Sequence, residues 1–408
     1  MNVCFVTRAM PAHGRGGMED HALALAAGLA ARGHAVTVVT TGHDRLEVER
    51  TDGVEIRYLR GTPPRSYSRA WRRRSTEEVL RLHAERRFDV LHSQSVGAYD
   101  LLRRGLHRRA RLPAVVTFHG TPYDEVVSRL NLIRFARPSL RTLEDIAGVG
   151  YWTGQYLLFY RAAAAGADAV IATSDQQEEL IRRIFRVAPE RLHRVYNGMD
   201  LRQFAPGAGG AELRRTLGIA PETPVLLCVA RFVRDKGLDQ VLEALPAVAA
   251  ALPDVLLLLV GDGEQRGRLE QLARRRGVER RVRFTGFVPL AQLPAYFDLC
   301  NLFVNATIRR NGYDLTMLEA MACGKVVVSS DAGSTPTLIR DGVDGLLVPV
   351  GNPRVLAERV VAALRAPERL REMGRRAREK ARSGFDLDAM VEGTLGVYET
   401  VRETHGRP

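Results

Sequence analysis

The residues best suited to chemistry are two basic side chains, a glycine-containing turn and a carboxylate, all in the second half of the chain. Arg231 and Lys236 lie five positions apart in a loop that follows an apolar strand pattern. Arginine can bind two oxygens at once and lysine adds a compact charge, so the pair would suit a diphosphate. In most proteins, however, two basic residues in a loop are simply solvated.

A second group of candidates begins where a turn leads into a helical pattern. The turn residues are Asn311, Gly312, Tyr313 and Asp314. The helix is predicted from Leu315 to Cys323, with Gly324 as its stop. The N–H groups near Leu315 and Thr316 would lack partners at the helix start, where the helix dipole also favours an anion. Glu319 follows one turn later and could accept from both hydroxyls of a ribose, so this stretch predicts a nucleotide site.

Both halves of the chain alternate short apolar strands with helical patterns, which is typical of parallel α/β sheets. Strands are predicted in the first half at 3–7, 35–41, 54–59, 88–92, 114–118 and 169–173. In the second half they are predicted at 225–230, 255–260, 282–285, 302–305, 326–329 and 345–348. A chain of 408 residues is too long for one ordinary core. Residues 204–210 have the composition of a linker, so we predict two domains.

A glycine-rich loop follows the first strand and contains Gly14, Gly16 and Gly17. A dinucleotide-binding fingerprint would place its third glycine where Glu19 stands, so that interpretation fails. The strand at 114–118 is followed at once by His119. Residues in that position line the ligand crevice of open α/β sheets, although a lone histidine is more often structural than catalytic.

The stretch after residue 310 resembles the signature of retaining glycosyltransferases of the GT-B fold, the family-4 type. The match runs through L-T-M-L-E-A-M-A-C-G and includes Glu319. Asn311 stands where the family has the first of two glutamates, and Asp314 stands where it has a glycine. Because the first glutamate usually meets hydroxyls of the donor sugar, we expect Asn311 to influence which sugar is accepted.

Three further motifs extend the resemblance over nearly the whole chain. The sequence around Arg231 and Lys236 matches A-R-[FL]-x-x-x-K-G, the diphosphate site of the family. V-V-T-F-H-G matches the family motif at His119, and the loop at Gly16 and Gly17 is similar to the family's G-G-x-E-x-H loop. The resemblance is weakest between 121 and 161, where an amphipathic and aromatic insertion predicts either a lid or acceptor pocket, or an extra packed helix pair.

The resemblance implies an α/β protein of the GT-B fold, with two doubly wound parallel-sheet (Rossmann-like) domains facing a cleft. The acceptor-side domain would span 1–205 and carry the C-terminal helix 386–408 packed back on it. The domain that binds the nucleotide sugar would span 206–385. The reaction would transfer a hexose or N-acetylhexosamine from a nucleoside diphosphate sugar to a hydroxyl group with retention of configuration, and the leaving phosphate would take the acceptor proton.

The same resemblance implies a set of site residues. The expected catalytic residues are His119, Arg231 and Lys236. The expected donor-binding residues are Gly16, Gly17, Arg231, Lys236, Asn311, Gly312, Tyr313, Asp314, Leu315, Thr316 and Glu319. No metal and no cofactor are expected, and the sequence has no D-x-D at a strand end. The acceptor remains open between a lipid-linked or cell-surface glycan, a glycolipid and a soluble natural product.

The formal net charge of +13 suggests anionic partners, although only three of the 60 basic residues are lysines, and an arginine bias can also reflect genome composition. The segment from Arg69 to Arg87 combines clustered arginines with Trp71, Val79, Leu80 and Leu82. It is interpreted as a helix that could lie on an anionic membrane surface with Trp71 as its anchor. The alternative is a solvated arginine face with Trp71 packed on its own domain.

Other classes of protein fit less well. A nucleic-acid-binding protein would need aromatic or helix-turn-helix motifs that are not recognisable, so no nucleic-acid partner is expected. A sugar-nucleotide epimerase of similar fold would need general bases that are not evident. The four cysteines lie far apart, the N-terminus lacks a leader pattern, and no apolar run is long enough to span a membrane. We therefore expect reduced thiols in a cytoplasmic protein, peripheral at the inner face of the membrane if its acceptor is lipid-linked.

Overall fold

The computed structural model of the chain describes residues 1–14, 17–135, 140–310 and 313–406, and it divides into two compact units. The first comprises Met1–Tyr123, Gly150–Met199 and Phe385–Pro408, and the second comprises Asp124–Val149 and Asp200–Gly384. Unlike the predicted partition, this one groups residues 124–149 with the second unit.

The strands lie in two sheets, one in each unit. Those of the first unit are β1 (Asn2–Val6), β2 (Ala35–Thr41), β3 (Val48–Thr51), β4 (Val54–Leu59), β5 (Val90–Gln94), β6 (Ala114–Phe118), β7 (Ala169–Ala172) and β8 (Leu192–Arg194). Those of the second unit are β9 (Val225–Val229), β10 (Leu256–Val260), β11 (Val282–Gly286), β12 (Leu302–Asn305), β13 (Val326–Ser330) and β14 (Leu346–Val348).

The α-helices that the structure describes alternate with these strands along the chain. In the first 200 residues they are α1 (Gly17–Ala30), α2 (Arg69–Arg86), α3 (Tyr99–Arg103), α4 (Leu106–Arg109), α5 (Pro122–Phe135), α6 (Leu140–Gln155), α7 (Arg161–Gly166) and α8 (Asp175–Leu180). The later ones are α9 (Gly210–Thr216), α10 (Leu238–Ala251), α11 (Arg266–Arg275), α12 (Leu293–Leu299), α13 (Leu315–Ala322), α14 (Thr335–Leu338), α15 (Pro353–Leu364), α16 (Pro367–Gly384) and α17 (Leu387–Gly406).

Both sheets have the doubly wound order. The first runs β3-β4-β2-β1-β5-β6-β7-β8, and all neighbours are parallel except β3 and β4. The second runs β11-β10-β9-β12-β13-β14 and is parallel throughout. In each sheet the strand order reverses beside the first strand of the unit. Ligands of such sheets bind at the carboxyl ends of the strands flanking that switch point, here β1 with β5 and β9 with β12.

Alternate residues of β1 enter different cores, as expected for a strand buried on both faces. Val3 and Phe5 pack in the cluster that includes residues of α1 and α17. Cys4 and Val6 pack in the cluster that includes residues of α2, α3 and α7. The chain therefore returns at its C-terminal end to complete the core of the first unit.

The predicted membrane anchor on α2 is wrong. Trp71 is fully buried and its Nε1 donates to a backbone carbonyl 3.2 Å away, while Val79 and Leu82 also face the core. Arginines of this helix pair with neighbouring carboxylates, such as Arg81 with Glu78 at 2.8 Å. The helix uses its apolar side to cover the sheet, so no apolar side is left for a lipid surface. Among the helices that the structure describes, none combines the length and the apolar composition of a membrane span.

The sequence patterns did not predict α16. Its buried residues are Met373, Gly374, Ala377 and Ala381. Because most of these side chains are small, the sequence of the helix lacks the large apolar residues that indicate an amphipathic helix. The small residues allow close packing on α13, since a Cβ added at Gly374 would lie 2.1 Å from the carbonyl oxygen of Gly324. Helix α16 thereby supports the helix that carries the predicted nucleotide-binding residues.

Candidate functional site

The loop after β9 presents the two predicted basic residues at the switch point of the second sheet. Arg231 is exposed, and Lys236 ends a short 3₁₀ turn that precedes α10. Gly237 has a φ of +61°, and a Cβ at this position would lie 2.0 Å from the Ala306 carbonyl oxygen. Only glycine fits there, because the β9 loop lies directly on the backbone that leaves β12.

Two hydrogen bonds fasten this loop to the β12 exit. The carbonyl oxygen of Asp235 accepts from Thr307 Oγ1 and from the N–H of Ile308, each at 3.0 Å. Lys236 is the next residue, and its side chain is only 11% exposed. The ammonium group is therefore held at the carboxyl edge of the sheet, next to the start of α13.

Lys236 already has an anionic partner in this structure. Its Nζ donates to Asp314 Oδ1, and Asp314 Oδ2 accepts from Asn305 Nδ2 at 2.8 Å. Asn305 is itself oriented, because its Oδ1 accepts from the N–H of Thr307 at 3.0 Å. Burial alone would raise the pKa of Asp314, but the charge of Lys236 and the hydrogen bonds from Lys236 and Asn305 bring that pKa below its usual value.

Helix α13 begins as the sequence predicts. Asp314 is its N-cap residue, but the Asp314 side chain makes no capping hydrogen bond and points to Lys236 instead. The half-buried Leu315 and Thr316 form the first turn. The helix ends at Ala322, and Gly324, two residues later, has a φ of +73° and donates its N–H to the Met321 carbonyl.

Glu319 occupies an unusual position for a carboxylate. It is 5% exposed, and its Oε2 is buried with no hydrogen-bond partner in the described part of the chain. Burial raises its pKa to about 7. A buried acceptor without a donor costs free energy, so the arrangement is suited to a ligand that brings hydroxyl donors.

Three of the predicted donor-binding residues, Gly16, Asn311 and Gly312, lie outside the residues that the structure describes. Tyr313 is half-buried beside Asp314. The second unit thus brings together Lys236, Asp314 and the first turn of α13 with Glu319, and it places Arg231 on the same loop as Lys236.

The first unit holds a separate cluster at the carboxyl edge of its sheet. His119 follows β6, and its Nε2 donates to Oε1 of Gln94, the last residue of β5. The ring of His21, from α1, meets the His119 ring edge-on with centroids 4.4 Å apart. Both ring nitrogens of His21 and Nε2 of Gln94 are buried with no hydrogen-bond partner among the described residues.

The histidines of this cluster are neutral at physiological pH. Burial lowers the pKa of His21 to about 4. Burial, together with the neighbouring His21 and His92, lowers the pKa of His119 well below its ordinary value. An uncharged imidazole can donate a hydrogen bond to a hydroxyl group or accept one from it, but it cannot neutralise the charge of a phosphate.

Gly17 is the first residue of α1 and is exposed. Among the described residues, no atom lies within 4 Å of a Cβ added there.

Sequence reasoning did not assign roles to Asn305, Gln94 and His21. Each of the first two ends a strand beside a switch point, which is a signal that could have found them. His21 was visible only as a member of a motif, and its contact with His119 depends on how α1 packs on the sheet.

Comparison with known proteins adds independent findings. Residues 211–380 match the model of Glycosyl transferases group 1, and residues 15–203 match that of Glycosyltransferase Family 4. D-inositol 3-phosphate glycosyltransferase 1 of Catenulispora acidiphila is 30% identical over 372 residues, which are 88% of this chain and 84% of that protein.

Two solved structures are similar in fold over almost the whole chain. Sucrose-phosphate synthase of Thermosynechococcus elongatus has a TM-score of 0.75 at 23% identity, covering 99% of this chain and 100% of that one. The Anabaena protein HepE in complex with UDP has a TM-score of 0.73 at 21% identity, covering 98% of this chain and 100% of that one. At these identities the likeness shows the fold.

Proposed function

The chain belongs to the group 1 glycosyltransferases and has the GT-B fold, and from that premise we propose that it transfers a hexose or N-acetylhexosamine from a nucleoside diphosphate sugar to a hydroxyl acceptor, with retention of configuration. The expected donor class is supported by the Anabaena structure, which was solved with UDP. In this proposal the second unit binds the nucleotide.

The observation that carries the proposal is the buried carboxylate of Glu319. Its Oε2 has no hydrogen-bond donor among the described residues. Glu319 is also only about one turn from the start of α13, where a helix attracts an anion. The ribose of a nucleotide supplies two adjacent hydroxyl donors on a group that also carries phosphate. A nucleotide whose phosphates lie at the start of α13 would therefore satisfy Glu319 and the helix dipole together.

Arg231 and Lys236 are proposed to stabilise the diphosphate as it leaves. Negative charge develops on that group in the transition state, and cations already fixed at its position lower the barrier without reorganising. Lys236 is held in place by its loop, whereas the exposed Arg231 can move to bind two oxygens. The departing phosphate would accept the proton of the attacking hydroxyl, so we assign no protein nucleophile. His119 is proposed to act as a neutral hydrogen-bonding group for a sugar or acceptor hydroxyl.

The acceptor is proposed to be lipid-linked, with the protein peripheral to a membrane. Of the nine exposed large hydrophobic residues in the described part of the chain, six lie between 123 and 158. Leu143 and Ile146 are more than half exposed and lie three positions apart, on one side of α6. Exposed apolar residues grouped on one side of a helix suit the interface of a phospholipid layer.

The nucleotide site is tested with Glu319→Ala, Arg231→Ala and Lys236→Ala. Each loses a charge-assisted contact worth roughly 1.5–3 kcal/mol, so the affinity for UDP, GDP or ADP should fall about tenfold or more. Titration calorimetry gives the affinities. Arg359→Ala is the matched control, since it removes a surface arginine that pairs with Asp341 at 3.0 Å. Wild-type affinity in all three site variants would place the nucleotide elsewhere and refute the proposal.

A further inference from the structure

We propose that Asp314 competes with the donor's diphosphate for Lys236. This competition weakens the binding of the nucleoside diphosphate product more than the binding of the intact donor. The inference rests on the proposed function and assigns Asp314 the role of a product-release group. It explains why a carboxylate stands at the start of a helix whose other features suit an anion.

Lys236 and Asp314 form a shielded ion pair in the candidate nucleotide site. Lys236 donates to Asp314 in the ligand-free protein, and both side chains are largely shielded from solvent, at 11% and 23% exposure. Asn305 fixes the other carboxylate oxygen, and the Asn305 amide is in turn fixed by the N–H of Thr307. The pair is therefore built into the site, and a phosphate can bind Lys236 only if it shares or displaces the carboxylate.

Asp314 is the N-cap residue of α13 but does not act as a cap with its side chain. An aspartate at the N-cap usually accepts from the N–H groups of the first turn. Asp314 has an extended backbone suitable for that role, yet its side chain caps nothing and turns to Lys236. The carboxylate thus neutralises the lysine and does not occupy the N–H groups of Leu315 and Thr316. These backbone N–H groups therefore stay available to an anion, while the charge of Lys236 is already neutralised by Asp314.

The sugar nucleotide and the nucleoside diphosphate product differ in charge. A nucleoside diphosphate sugar carries one charge on each phosphate, because the terminal phosphate is esterified. After transfer, the terminal phosphate of the product has a second ionisation near pH 6 and carries nearly one more negative charge at neutral pH. A fixed carboxylate beside the diphosphate repels the product more strongly than the donor. Asp314 consequently lowers the affinity for the donor slightly and the affinity for the product more, so the product leaves faster.

The experiment compares Asp314→Asn with wild type in titrations against UDP, GDP and ADP and against the corresponding glucose donors. Asparagine has the same shape and can still accept from Asn305, but it carries no charge. We expect affinity for the nucleoside diphosphate to rise on the order of tenfold and affinity for the sugar nucleotide to rise less than about threefold. In steady-state assays, the ratio of the product inhibition constant to the donor KM should fall accordingly.

Two further variants make the outcome decisive. Asp314→Gly removes the same charge, so it repeats the test if the asparagine variant does not fold. Asp341→Asn is the control, since it removes a carboxylate of the same unit from a surface pair. Unchanged or weaker product binding in the Asp314 variants, or equal gains for product and donor, would overturn the inference.

The same titrations separate this inference from the proposed function. If wild type binds a nucleotide and Lys236→Ala weakens it, the nucleotide site stands whatever Asp314 does. Failure of the Asp314 variants alone then rejects only product release. Absence of nucleotide binding in wild type and in all variants would reject both.

Discussion

At the scale of the residue, the candidate site contains two carboxylates in opposite environments. Glu319 is buried and its Oε2 has no donor in the described ranges, whereas Asp314 is partly shielded and has a lysine and an amide as partners. The two groups consequently shift in opposite directions, with the pKa of Glu319 raised to about 7 and that of Asp314 lowered. We infer that Glu319 is the strained member of the site, maintained for its ligand at a cost in stability.

This strain predicts a dependence of stability on pH. Because the pKa of Glu319 rises from 4.5 to about 7 on folding, the folded protein binds that proton more tightly than the unfolded chain. The resulting stabilisation is complete below pH 4.5 and is lost as the pH rises through 7, which amounts to roughly 3 kcal/mol by pH 8. Glu319→Gln has no such loss, so it should exceed wild type in stability at pH 8 and approach it at pH 5.

Chemical denaturation of both proteins at the two pH values checks this prediction. Other groups titrate equally in the two proteins, so their contribution cancels in the comparison. A stability difference that stays the same at pH 5 and pH 8 would show that Glu319 is ionised with an ordinary pKa in the folded protein.

At the scale of the element, α13 is positioned by α16, and the contact depends on a glycine. Gly374→Ala should destabilise the protein by roughly 2–3 kcal/mol, because the new methyl would lie 2.1 Å from the Gly324 carbonyl oxygen and the two helices would have to separate. Gly267→Ala is the control in α11, where an added Cβ meets nothing within 4 Å. That change should be neutral or stabilising by up to about 1 kcal/mol.

Thermal and denaturant unfolding measure both glycine variants. Since α13 carries Glu319, Gly374→Ala should also weaken nucleotide binding, whereas Gly267→Ala should not. Equal stability of the two variants would mean that α16 can shift without cost and does not fix α13.

At the scale of the whole molecule, the proposed membrane contact is a property of one exposed helix and not of the net charge. Wild type should sediment with phospholipid vesicles, and Leu143→Ser/Ile146→Ser should reduce the bound fraction about tenfold or more, since burying each side chain contributes roughly 1.5–3 kcal/mol. Arg73→Ser/Arg74→Ser on α2 should bind nearly as wild type. Sedimentation with neutral and with anionic vesicles, at low and high salt, separates the two contributions.

A result in which wild type stays in the supernatant with every vesicle would reject the peripheral location and favour a soluble acceptor. Loss of binding only in the arginine variant would assign the contact to α2 charge instead of α6.

The local patterns of this chain were sufficient for the class of fold. Runs such as Val225–Val229 and Val326–Ser330 are apolar and rich in β-branched residues, as strands buried on both faces must be. Their alternation with helices predicts parallel sheets, and the resemblance to GT-B glycosyltransferases is confirmed. The start and end of α13 could also be predicted from the sequence, because the turn residues and Gly324 set the backbone conformation at their own positions. The stripe of small residues on α16, in contrast, carries no strong periodic signal.

The patterns do not predict β3, β8 or α16, and they end β5 at His92 instead of Gln94. The sequence by itself therefore predicts the alternation of most strands with helices and the residues that follow several strands, such as Arg231 and His119. The tertiary structure alone decided which of those residues meet. It buried Trp71 against a sheet, paired Lys236 with Asp314 and joined His119 to Gln94 and His21. Backbone propensity and periodicity act over a few residues, whereas burial and electrostatic pairing depend on segments that only folding brings together.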